Sequence, residues 1–248
     1  MPKLILCRHG QSEWIGVREV AAAVKAIREE TGRPIFLNAD HTKSLDHAIE
    51  AAKAGFDEVL VDFSHLPFEE DLKQTKDAVS RLREINPELV IEGEIGYIGS
   101  SSAILESKPE NMFLTTPDEA VRFVAETGIN VLAPSVGNMH GLLASMLKGN
   151  EFKHLDIPRI HAIKVATNDI YLTLHGGSGT ADEDFVSAIK EGVNIVHVNT
   201  ELRLAWRKGI ESALQSNPNE VVPYKLMKPA YDEIKEVVLR RLKLFSGK

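Results

Sequence analysis

Three histidines each stand just beyond a short apolar run: His41 after residues 34–39, His140 after 130–136 and His175 after 170–174. Imidazole is a good zinc ligand, and a catalytic zinc site keeps one coordination position open for water or substrate. Carboxylates sit on neighbouring runs. Asp40 is next to His41, Asp62 closes 58–63, and Glu92 and Glu94 lie in 89–95. Asp40 is a candidate general base and acid. Neighbours on a strand face opposite ways, so Asp40 and His41 can serve one site only if the strand has ended there. Asp62 and Glu94 are candidates to bind metal or to orient its ligands. Taken singly, each of these residues has a plainer reading, as a rim histidine, a rim ion pair or a helix cap before Ser44. Three histidines at successive strand ends, with carboxylates beside them, favour a divalent-metal centre.

A second cluster lies at His175-Gly176-Gly177-Ser178-Gly179. Glycines let backbone N–H groups approach an anion, and a helix N-terminus favours negative charge. Asn199 and Thr200 follow the next apolar run and would add side-chain donors. Tight turns use the same residues, but this position between strand and helix suits phosphate. A metal beside a phosphate site can polarise a ketone and stabilise an enediolate. The nearby carboxylate can move the proton that C–C cleavage requires. A Schiff-base route would need a lysine at a strand end, and none of these strand ends carries one.

The elements that must position these residues repeat. Helical stretches end at Gly32, Gly55, Gly128 and Gly192, and a short apolar run follows each. Glycine takes the left-handed conformation cheaply just past a helix. The runs 34–39, 58–63, 89–95, 130–135, 170–174 and 194–198 read as strands, and 3–7 as a seventh. Helical spacing links Val17, Val20, Ala21, Val24 and Ile27, and also Leu72, Val79, Leu82 and Ile85. Thr116-Pro117-Asp118-Glu119 and Thr180-Ala181-Asp182-Glu183 read as capping boxes. Residues 222–244 read as further helix and 99–111 as a long loop. Alternating apolar strands and helices imply a parallel sheet with the site at the C-terminal strand ends. A closed barrel needs eight strands, so one β/α unit is missing from the start. An open doubly wound sheet is the alternative.

The chain has 248 residues, 43% of them hydrophobic and only 6% aromatic. That suits one aliphatic barrel, which commonly runs to about 250 residues. A formal charge of −7 argues against nucleic acid, which needs a basic face. A single cysteine, Cys7, allows no internal disulfide. No apolar run approaches the roughly 18 residues of a membrane span. The first ten residues are too short and too soon charged for a signal peptide. These features point to a cytoplasmic protein of one domain, 1–248, with an atypical strand and loop at 1–13.

The segments Asn38-Ala39-Asp40-His41, Val61-Asp62-Phe63-Ser64-His65, Glu92-Gly93-Glu94-Ile95-Gly96, Gly137-Asn138-Met139-His140-Gly141, Leu174-His175-Gly176-Gly177-Ser178-Gly179 and Asn199-Thr200-Glu201-Leu202-Arg203 together resemble class II, metal-dependent ketose-bisphosphate aldolases of the fructose-bisphosphate type. Their order and spacing cover about residues 14 to 246. The resemblance implies a (β/α)8 TIM barrel, here without its first β/α unit. It implies zinc on His41, His140 and His175, with Asp62 and Glu94 around a second divalent position. Asp40 would transfer the proton. Gly141, Gly176, Ser178, Asn199 and Thr200 would bind the phosphorylated sugar, with a monovalent cation nearby. Members are usually homodimers or larger. The reaction implied is cleavage of fructose 1,6-bisphosphate to dihydroxyacetone phosphate and glyceraldehyde 3-phosphate. Tagatose 1,6-bisphosphate, or a barrel that binds metal and phosphate with impaired chemistry, are the alternatives. The pattern departs at His197, where the family usually has Asn, and after Glu94, where Tyr97-Ile98-Gly99-Ser100 replaces a Gly-Gly segment and a catalytic Glu.

At the start, Leu6-Cys7-Arg8-His9-Gly10-Gln11-Ser12 resembles the histidine-phosphatase and phosphoglycerate-mutase signature. The partners that signature needs have no place in the rest of the chain. The plainer reading is a barrel strand with its loop.

Overall fold

The computed structural model describes residues 3–8, 14–99, 101–109, 112–149, 151–168 and 170–247. They form two compact units. The first comprises residues 1–97, 115–134 and 162–172, and the second 98–114, 135–161 and 173–248.

The first unit is built from β1 (Lys3–Arg8), α1 (Val17–Thr31), β2 (Ile35–Thr42), α2 (Leu45–Ala54), β3 (Glu58–Val61), α3 (Phe68–Ile85), β4 (Val90–Ile95), α4 (Pro117–Thr127) and β6 (Val131–Pro134). The end of α5 (Ile157–Ala166) and the start of β8 (Tyr171–Leu174) complete it. Its six strands are parallel and lie in chain order, β1-β2-β3-β4-β6-β8. That order decides between the two expected architectures. A doubly wound sheet reverses its strand order at a switch point, whereas a barrel adds each strand beside the last. The fold is therefore of barrel type. β1 bears out the strand half of the plainer reading of the N-terminus and extends it to Arg8: Leu4 pairs with Phe36 and Leu6 with Asn38. His9 to Ser12, the core of the phosphatase-like signature, lie outside the described residues.

Strand sequences explain their burial. Val59, Leu60 and Val61 are all buried, as are Ile91, Leu132 and Ala133, because both faces of a barrel-type sheet are covered, one by helices and the other by the strands' own inward side chains. α2 buries Ala48, Ala51 and Ala52, three small residues at helical spacing. α3 buries Leu72, Thr75, Val79 and Leu82 at the same spacing. Ser44 caps α2 by accepting the His47 N–H. Thr116 and Glu119 close both arms of the expected capping box on α4, with Pro117 in the first turn.

The second unit holds β5 (Ile104–Leu105), β7 (Leu142–Leu143), a 3-10 helix (Ala144–Lys148), α6 (Asp182–Lys190), β9 (Val193–Val196), α7 (Thr200–Ser216) and α8 (Pro223–Phe245). The expected long loop over 99–111 is not wholly irregular, because β5 pairs with β7. The second expected capping box does not form. α6 begins at Asp182 with Ala181 as its cap residue. Thr180 is instead bridged to Lys153, and its N–H donates to the Gly177 carbonyl at 3.1 Å. The backbone is committed before the helix can use the hydroxyl.

α7 and α8 pack as an antiparallel pair with Gly209 at their closest approach. A Cβ on Gly209 would collide with the backbone of Pro229 and Ala230. Backbone cannot yield as a side-chain tip can. Gly209→Ala is expected to destabilise the chain by about 1–3 kcal/mol, the usual cost of overpacking. Urea unfolding of the two proteins checks this, and an unchanged midpoint would show that the helix pair spreads at no cost.

Candidate active site

In the first unit, the site grows from an irregularity in β2. Ala39 pairs with Val59 and Thr42 with Val61, so Asp40 and His41 together oppose the single residue Leu60. This is a β-bulge. It corrects the expectation that the strand must end before Asp40. The strand runs on to Thr42, and the bulge breaks the alternation instead. Both Asp40 and His41 are buried. The bulge places His41 at φ 59°, a left-handed conformation that histidine tolerates better than most side chains.

Around His41 stand three carboxylates. Its Nδ1 lies 2.8 Å from Asp62 Oδ2 and 3.6 Å from Glu94 Oε2, and its Nε2 is 3.6 Å from Asp40 Oδ1. Ser64 links the acids. Its hydroxyl donates to Asp62 Oδ1 at 2.7 Å and lies 3.3 Å from Glu94 Oε1. Ligand atoms of His41, Asp62 and Glu94 lie within 4.8 Å of one another, close enough to hold a cation. Glu94 Oε2 is buried with no hydrogen-bond partner among the described residues. Two positions down β4, Glu92 sits deeper and accepts from Asn38 Nδ2 at 3.4 Å.

Burial and charge set different states on these groups. Burial opposes a charge on His41, but Asp40, Asp62 and Glu94 outweigh it and raise its pKa to about 9. Burial also pushes Asp62 up, yet its bond to the His41 ring and to Ser64 holds it below the usual carboxylate range. For Glu94 the charge of His41 is a weaker relief. Burial first, and then the charge of Asp62, drive it well above the ordinary glutamate value.

In the second unit, imidazoles gather at strand ends. The His140 N–H donates to the Ile98 carbonyl at 3.0 Å, and its Nδ1 lies 2.6 Å from the Gly99 carbonyl. A carbonyl only accepts, so Nδ1 is the donor in this contact. Asn138 donates to the His175 carbonyl at 3.0 Å. The His140 and His175 rings meet edge-on at 5.9 Å. His175 and His197 stand closer, 4.2 Å between centroids and 3.1 Å between their Nδ1 atoms.

Beside them is the glycine turn. Gly176 has φ 62°, and a Cβ there would strike the Met139 carbonyl. Ser178 Oγ accepts from the N–H groups of Asn199 (3.2 Å) and Glu201 (3.3 Å) at the start of α7. The Thr200 hydroxyl donates to the Ser102 carbonyl at 2.9 Å, so its proton is committed within the protein. The expected residues Gly141, Gly176, Ser178, Asn199 and Thr200 thus all fall in this unit. Sequence reasoning missed Ser64, which links two acids, and Lys153, whose ammonium is buried on three carbonyls. Lys153 lies in an irregular polar stretch with no periodicity to mark it.

The family described as fructose-bisphosphate aldolase class-II matches the chain over residues 1–248. The chain belongs to that family. Its fold is shared with a putative fructose-1,6-bisphosphate aldolase from Coccidioides immitis, at 28% identity and a TM-score of 0.79 over 99% of this chain and 82% of that one. The YdjI aldolase from Escherichia coli K12 aligns at 25% identity and a TM-score of 0.79, over 98% of this chain and 81% of that one. The fructose-bisphosphate aldolase of Campylobacter jejuni, at 17% identity and a TM-score of 0.77 over 99% of this chain and 82% of that one, shares the fold. The class II aldolase described here is thus a metal-dependent aldehyde-lyase on a fold of barrel type. Among the described residues no helix of this aldolase is long and apolar enough to cross a membrane.

The raised pKa of His41 has a sign for stability. Its folded value lies above its ordinary 6.5. Its contribution is therefore full below about pH 6.5 and is lost as the pH rises through about 9. Glu94, also raised, acts in the same direction. The metal-free aldolase should lose stability between pH 6.5 and 9, and the His41 ring should titrate near 9 by NMR. Asp62→Asn should bring that midpoint down. A midpoint below 6.5 in the unaltered chain would contradict the reading.

Proposed function

We propose that this aldolase works as one barrel domain and uses zinc to cleave fructose 1,6-bisphosphate into dihydroxyacetone phosphate and glyceraldehyde 3-phosphate. The observation that carries the proposal is the pairing of histidine Nδ1 atoms. His41 Nδ1 faces the Asp62 carboxylate and His140 Nδ1 faces the Gly99 carbonyl. Such partners fix the tautomer and turn Nε2 toward a metal. His41, His140 and His175 are the proposed ligands, and three histidines leave tetrahedral zinc one open position. Asp62 and Glu94 stand where a second divalent ion would bind, and the buried Oε2 of Glu94 fits that role. When bound, the metal supplies polarisation of the ketone oxygen.

The chain's own residues do the rest. Asp40 takes the hydroxyl proton as the C–C bond breaks, the bond's electron pair stays on the dihydroxyacetone phosphate half, and that carbon takes up one proton, so none is gained or lost overall; in the reverse direction Asp40 returns its proton to the new hydroxyl. Ser178 Oγ already accepts two N–H groups, which leaves its hydroxyl the role of donor, and the phosphate is the proposed acceptor. Gly176 lets that anion approach the backbone, and Gly141, Asn199 and Thr200 shape the rest of the phosphate site. The reading includes a cytoplasmic homodimer or larger oligomer, with no nucleic acid or membrane as partner.

One observation favours a second sugar. His197, where the resemblance expects Asn, lies against His175. An imidazole there reaches hydroxyls differently from a carboxamide, so tagatose 1,6-bisphosphate is the alternative substrate.

Fructose 1,6-bisphosphate cleavage by the purified chain should disappear with EDTA and return with zinc. Cleavage that survives EDTA would remove the metal from the mechanism, and faster turnover of tagatose 1,6-bisphosphate would select the second sugar. Asp40→Ala should lower turnover by roughly 10²–10⁴ at unchanged zinc content. Near-normal turnover in that variant would take Asp40 out of the proton transfer.

A further inference from the structure

Lys153 is buried, and its ammonium donates to the carbonyls of Met139 (2.7 Å), Gly141 (2.6 Å) and Gly176 (3.0 Å). An ammonium has three donors, and three carbonyls use all of them. No carboxylate is among these partners. The acid whose charge bears on it, Glu201, is held by Arg241 through two contacts of 3.0 Å. Burial lowers the Lys153 pKa to about 7, against a weaker pull from Glu201. Three converging carbonyls around one desolvated cation are the chemistry of a potassium or ammonium site, and here the cation is tethered to the chain. Its backbone is tethered as well. The Lys153 N–H donates to the Gly179 carbonyl at 2.9 Å, and its own carbonyl accepts from Ala181 at 3.2 Å.

We propose that Lys153 is a built-in monovalent cation. Its ammonium fills a carbonyl cage that fixes the backbone on both sides of His140 and just after His175. It also holds the Gly176–Ser178 turn ready for phosphate without a dissolved potassium or sodium ion. The phosphate half of this inference rests on the proposed function of that turn. The cage half does not.

The test compares the full chain with Lys153→Ala in potassium, ammonium and tetramethylammonium chlorides at equal ionic strength. Melting temperature and binding of inorganic phosphate are read in each. The unaltered chain should melt at one temperature and bind phosphate with one affinity in all three salts. Lys153→Ala should melt several degrees lower in tetramethylammonium, which is too large for the cage, and recover in potassium or ammonium. Its phosphate affinity should fall about tenfold, the scale of one charged hydrogen bond, and recover with the same ions. Melting of the variant that ignores the identity of the cation would overturn the cage. So would potassium-dependent melting of the unaltered chain. If the alanine variant does not fold, Lys153→Met fills the space without charge and admits no ion. It should lose phosphate affinity about tenfold in every salt, and wild-type affinity would overturn the proposal. Failure of the unaltered chain to bind phosphate at all would defeat the anion reading while leaving the melting comparison to judge the cage.

Discussion

The extra residue in β2 is the constraint on which the first unit's chemistry depends. A regular strand would send Asp40 and His41 to opposite faces, and only one could take part. The bulge buries both at one strand end, at the cost of a left-handed backbone at His41. Such strain persists only where the surroundings over-determine it. Here they do. The Thr42 hydroxyl donates to the Leu60 carbonyl across the bulge. The Asp62 N–H donates to the Thr42 carbonyl at 3.0 Å, and the Asp62 carboxylate holds the His41 ring. One residue of β3's continuation thus fixes both the backbone and the imidazole of its neighbour.

Around the bulge, like groups are pushed in opposite directions. Asp62 touches the imidazole and is held below the usual carboxylate range, whereas burial first, and then the like charge of Asp62, push Glu94 well above the ordinary glutamate value. Two carboxyls whose environments push their pKa values apart are suited to different tasks. His41 near 9 stands as the positive counterpart of these acids in the metal-free protein. Any dication bound there takes over that part from a proton, so its binding and the release of protons are linked.

Much of the fold was legible because it is written in local rules. Helix ends at Gly32, Gly55 and Gly128 adopt the left-handed caps expected of them, and the apolar runs become the parallel strands. The Thr116 box formed because Glu119 and the backbone it caps are neighbours in sequence. The Thr180 box had the same letters and failed, because a contact from Lys153, far away in sequence, had already claimed that backbone. The bulge left no letter either, since Asp40 and His41 read equally well as the first residues past the end of a strand. That the motif histidines and acids gather, buried, at strand ends was readable from type and position. Ser64 and Lys153 were not, because an isolated serine or lysine acquires meaning only through what the fold brings to it.

Lys153 belongs to a wider pattern in the second unit. Loops leave carbonyls without a ladder partner, and a buried one must be satisfied somehow. In this unit the side chains at strand ends do that work. His140 serves Gly99, Asn138 serves His175, Thr200 serves Ser102, and Lys153 serves three carbonyls at once. Each bond satisfies an oxygen and at the same time aims a ring, a turn or a charge. Precise placement of the site's groups and burial of its irregular backbone are therefore one requirement. That is why a substitution at any of these side chains disturbs both together. It is also why the neutral replacement of a charged group, with volume kept, separates the two contributions better than truncation does.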